Sequence, residues 1–146
     1  MRQGHIDDGV ALAPQTLTAD ANGATIDLAD CDGLAILANV GASGDTLSGS
    51  VYLSLEIEHS DDGSTWEDVT DAEHVVDGRN SAFVASGTGI FDTIDAPAED
   101  EKQVSIHYIG PKRYVRLVVN LTGTHSNGIP VGASYVKSFV RALPVT

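Results

Sequence analysis

Over much of this chain, every second residue is apolar. Val51, Leu53, Leu55 and Ile57 alternate with Tyr52, Ser54, Glu56 and Glu58. Successive side chains of an extended strand point to opposite faces, so this spacing predicts a half-buried strand with an acidic outer face. Ser60-Asp61-Asp62-Gly63-Ser64 follows, and Asp-Gly suits the tight turn of a hairpin. Thr65 to Val69 reads as the returning strand and carries the only tryptophan, Trp66, which this position assigns to the core.

The last third repeats the pattern. Val104, Ile106 and Tyr108 alternate with Ser105 and His107, and Gly110-Pro111 ends that strand, because proline cannot donate to a ladder. Arg113 to Leu121 is the clearest strand, with Val115, Leu117, Val119 and Leu121 on one face. Gly123 to Gly128 forms a loop with an Asn-Gly turn, and Ala133 to Leu143 a final strand stopped by Pro144.

Upstream, weaker strands are predicted at Gln15–Ala19, Ala24–Leu28 and Leu34–Val40. Leu34 to Ala38 is apolar without interruption, so it suits a central strand or a short helix; Gly33 and Gly41 favour the strand. Asp71 to Val76 suits a helical turn, Gly78 to Gly89 a surface excursion, Gly89 to Ile94 a short strand, and residues 95–101 a polar loop. About eight strands with frequent turns and no long amphipathic helix predict an all-β fold, an antiparallel β-sandwich or jelly roll. Residues 1–14 read as an N-terminal arm and residues 15–146 as one domain, a size ordinary for a single core.

Charge changes this picture. The formal net charge is −13. Residues 1–100 hold 20 acids against two bases (−18), and residues 101–146 hold one acid against six bases (+5). The acidic balance argues against nucleic acid and against an anionic membrane as partners. The N-terminal sequence lacks the apolar stretch of a secretory signal, and no apolar run is long enough for a spanning helix.

The residues of common catalytic and metal sites are present but not in the required patterns. Gly41-Ala42-Ser43-Gly44 lacks the spacing of a nucleophile elbow. The lone Cys31 sits between Asp30 and Asp32, which disfavour a thiolate and suit a buried, unreactive thiol. His5, His59, His74, His107 and His125 form no short ligand pattern. Asp30-Cys31-Asp32-Gly33 and Asp61-Asp62-Gly63 look like fragments of calcium loops but lack the full ligand spacing, and read as β-turns. Asn120-Leu121-Thr122 is a formal glycosylation sequon inside a strand. The expectation is therefore a protein that is not an enzyme and needs no metal or cofactor.

The basic residues offer the best candidate interface. Lys112, Arg113 and Arg116 cluster beside Tyr108 and Tyr114, and Lys137 and Arg141 alternate with Tyr135 and Phe139. They either pair with the acidic strands of the same chain or meet a neighbouring subunit or an acidic shell.

Ser60 to Val69 resembles the Ser-Asp-Asp-Gly-x-x-Trp-x-x-Val hairpin of discoidin-like and other jelly-roll modules, and Lys112-Arg113-Tyr114-Val115-Arg116-Leu117 resembles a strand of the same folds. The hairpin, then Tyr108 to Arg116, then Val136 to Pro144, in that order, resembles small virion proteins of tailed phages and gene-transfer particles. The resemblance implies a capsid decoration or cement protein. It would bridge neighbouring major capsid proteins, as a homotrimer on the outer surface of the virion, after synthesis in the host cytoplasm. It implies no catalytic residues. Two alternatives are a jelly-roll carbohydrate-binding module built around Trp66, and a head–tail connector or tail component.

Overall fold

The computed structural model describes residues 7–75 and 87–138. Among these the strands are β1 (Asp7–Leu17), β2 (Ala21–Asn22), β3 (Ile26–Asp27), β4 (Gly33–Val40) and β5 (Tyr52–Ser60). They continue with β6 (Glu67–Asp68), β7 (Ile90–Ile94), β8 (Lys102–Tyr108), β9 (Tyr114–Thr122) and β10 (Ile129–Ser138). All pairings are antiparallel. The first sheet runs β1-β10-β4-β8; the second runs β2-β9-β5-β6, with β3 also on β9 and β7 also on β5. When β2 with β3, and β6 with β7, are each taken as one broken edge strand, the chain crosses between sheets as in a jelly roll. Among the described residues no helix is long and apolar enough to cross a membrane.

The two sheets bury their facing sides against each other. Leu34, Ile36 and Ala38 of β4 meet Leu53, Leu55 and Ile57 of β5 and Val115, Leu117 and Val119 of β9 in one cluster, all essentially inaccessible. Alternation thus reports correctly on β5, β8 and β9. The apolar run at Leu34 is the central strand, paired on both sides by β10 and β8.

Three sequence expectations change. From Asp7 onward the supposed arm is strand β1, paired along β10. Its apolar pattern was hidden because the register slips between Val10 and Leu12, so Ala11 and Leu12 are both buried. The strands expected at 15–19 and 24–28 shrink: the first is the end of β1, the second is the two-residue β3. Trp66 lies outside the core, half-buried beside the short β6. Asp71 to Val76 does hold one 3₁₀ turn, Ala72–His74, capped by the Asp71 carboxylate accepting from the Glu73 N–H. Residues 78–86 of the surface excursion, and the end of the last predicted strand, lie outside the described residues.

The turns form as their residues dictate. The Asp62 carboxylate accepts the N–H groups of Ser64 and Thr65, which hold its pKa well below the carboxylate range. Gly128 has φ +82°, where a side chain would be strained, and the Asp45 carboxylate accepts its N–H and that of Asn127. Burial works against the Asp45 charge, but these hydrogen bonds prevail and lower its pKa.

Candidate functional site

The outer face of the second sheet is crowded with charge. Glu58 of β5 pairs in register with Arg116 of β9 and with Asp68 of β6, and Glu56 pairs with Val118. Carboxylate oxygens of Glu56, Glu58 and Asp68 all lie within 4.8 Å of one another. Such a trio could offer oxygens to a cation, but the chain supplies its own donors. Arg116 Nε donates to Glu58 Oε2 at 2.6 Å, and Asn120 Nδ2 donates to Glu56. Burial, and then the hydrogen bond with Asp68, push Glu56 up to about 7. The Arg116 guanidinium also lies 4.4 Å from the centre of the Trp66 ring, a cation–π contact on the ring face. Asn120 of the sequon therefore faces Glu56 from mid-strand.

Among the described residues, the other predicted interface cations are also engaged within the chain. Arg113 donates from Nε and Nη2 to the two oxygens of Asp27, each at 2.9 Å. That fork lowers Asp27 to about 2 and raises the Arg113 pKa. Lys112 Nζ sits 2.7 Å from Glu67 and 3.4 Å from Asp61, and its pKa rises through the Glu67 hydrogen bond first. Lys137 Nζ meets Asp7 at 3.0 Å and Asp30 at 3.3 Å; burial opposes its charge, yet these two carboxylates raise its pKa. Lys102, outside the predicted set, meets Asp92 at 2.9 Å. The described bases of the last third thus pair with acids of the first two thirds of the same chain. Arg141 lies outside the described residues.

At the end of the sandwich, Tyr108 is fully buried and its hydroxyl accepts the Lys112 N–H at 3.1 Å. His59 Nδ1 lies 2.9 Å from the same hydroxyl, and the His74 ring is 5.7 Å from that of His59. Burial pushes Tyr108 up to about 12 and lowers the pKa of His59. The cluster anchors the 71–75 segment, since Ile109 N–H donates to the His74 carbonyl. Cys31 is buried, and burial raises its pKa, as its acidic neighbours suggested.

The outer face of the first sheet is of a different kind. Register places Asp8, Val136, Ala35 and His107 in one row across its four strands. The next row is Val10, Ser134, Leu37 and Ser105, and the next holds Gly132, Asn39 and Gln103. In these rows the ionisable residues are Asp8 and His107, at opposite ends of the same row. Val10 is 57% exposed, and beside it lies a depression of about 340 Å³ between Pro14, Asn39, Pro130 and Ser134. Gly132 also lines this depression, and a side chain there would press on Pro14, 3.1 Å away.

The cations stand out in the sequence; this neutral face does not. The signal was present in β4, β8 and β10 as outward positions without acids. It becomes visible only when register assigns each residue to a side. Comparison with protein-family models, curated proteins and solved structures finds no match for this chain.

Proposed function

We propose that the chain is a non-enzymatic structural protein of a tailed-phage virion, a decoration protein that stabilises the capsid by bridging major capsid subunits. The observation that carries this reading is the nearly uncharged outer face of the first sheet. In a chain of net charge −13, a four-stranded face with one carboxylate at its corner suits contact with protein, where unpaired charge is costly to desolvate. The order of motifs that resembles small virion proteins adds the setting. Decoration then works by multivalency: each contact is weak, and several on one lattice add to a long residence.

The carbohydrate reading fits less well, because Trp66 is half-buried and Arg116 occupies one of its two ring faces, which reduces the ring surface open to a sugar. The deciding experiment is co-sedimentation of the purified chain with cognate empty capsids. The expected result is saturable binding and capsids that survive higher temperature. Failure to bind capsids, with binding to isolated tails or connectors instead, would overturn the decoration reading.

A further inference from the structure

We infer that the outer face of the first sheet pairs with the same face of a second copy of this chain, around a two-fold axis running along β10 and β4. The inference rests on reading that face as a protein-docking surface and assigns it to a second copy; the pair then bridges two capsid subunits through its other surfaces.

Three observations favour a copy. The first is charge: two chains each carrying −13 repel, and this face lets them meet with few carboxylates opposed. The second is complementarity. A two-fold axis along the two central strands lays β1 of one copy over β8 of the other. It keeps rows aligned, so each Asp8 meets the partner's His107, and Val10 meets the partner's Ser105. Within one chain Asp8 and His107 are three strand spacings apart, about 14 Å, too far to touch. The third is area. Four strands of about eight residues offer roughly 500 Å² per copy, about 1,000 Å² in total, at the lower bound of specific interfaces. The pair is therefore concentration-dependent in solution and reinforced where a lattice brings copies together. An isologous contact of this kind gives a pair, in place of the threefold ring that the resemblance implies.

The test is sedimentation equilibrium of the full chain over roughly 1–200 µM, a range chosen to bracket weak association. Wild type is expected to move from monomer to dimer. Asp8→His and His107→Asp should each weaken the dimer several-fold, since each places like groups opposite one another. The double swap, Asp8→His with His107→Asp, should restore it. Ser134→Glu, at the centre, should abolish it while circular dichroism and, at concentrations where wild type is monomeric, thermal melting stay those of wild type. A monomer throughout, a trimer, or a dimer indifferent to all these changes overturns the inference. Capsid co-sedimentation separates the two readings. A monomer that still binds capsids overturns the pair alone, and a dimer that ignores capsids overturns the decoration reading alone.

Discussion

The two outer faces of the sandwich have the same backbone and opposite chemistry. On the second sheet, Glu56, Glu58 and Asp68 crowd around Arg116, with Trp66 against the guanidinium. On the first, the central rows carry Val10, Ser134, Leu37 and Ser105. The difference shows that the charge of this chain is not a uniform coat. Where acids are dense, the chain answers them with its own Arg and Asn. Where it has no donors to spare, it has almost no acids. One face is internally satisfied, and in its described rows the other leaves only Asp8 and His107 to be met, which suits a contact surface.

The sharpest way to break that contrast is to remove the answer on the charged face. Arg116→Ala leaves three close carboxylates without their cation and strips the contact from Trp66. A half-buried pair broken on one side should lower stability by about 2 kcal/mol, read as the shift of a urea midpoint at pH 8. An unchanged midpoint would mean the pair contributes nothing and the face is merely solvated. Trp66→Ala is expected to cost less, about 1–2 kcal/mol, since a half-buried ring loses part of the burial of a core aromatic.

A third test uses pH. Glu56 is held at about 7 against an ordinary value of 4.5. The folded protein thus holds a proton that the unfolded chain has already released between those values. Its contribution is fully present below 4.5 and lost as pH rises through 7. Wild type should therefore lose stability from pH 5 to pH 8 relative to Glu56→Gln, which keeps a neutral donor and acceptor. His59 acts in the opposite sense. Its pKa is lowered from 6.5, so its contribution is lost as pH falls below that value. Parallel curves for wild type and Glu56→Gln would show that the carboxylate is not strained by its neighbours.

The strands of the core were legible because one side of each is apolar and the other polar. β5 is the clearest case, with Glu56 and Glu58 outward and Leu55 and Ile57 inward. β4 was ambiguous for the reason that makes it interesting. Its outward residues, Ala35, Leu37 and Asn39, are as uncharged as its inward ones, so alternation vanished into a continuous run. β1 was missed because a bulge shifts its period. Trp66 was misplaced because β6 is two residues long and cannot carry the ring inward. Lys112, Arg113, Arg116 and Lys137 stand out in the sequence, and their intramolecular alternative is the one the geometry displays. The neutral face depends on register between strands more than a hundred residues apart, as with Val10 and Ser134.

The smallest expected effect places the same charge on each face. Asn120→Asp sets a carboxylate against Glu56, where the amide now donates. It should cost about 1–2 kcal/mol at pH 8 and less at pH 5, where Glu56 is protonated. Ser134→Asp adds the same group to an exposed position flanked in register by Val10 and Leu37. With no carboxylate beside it in its row, the monomer should change by less than about 0.5 kcal/mol, measured by denaturant unfolding at low concentration. Equal costs at the two sites would mean that the chain's overall negative charge, and not its local arrangement, governs both faces. Unequal costs, with self-association lost only in Ser134→Asp, would tie the first sheet's neutrality to contact and the second sheet's charge to folding.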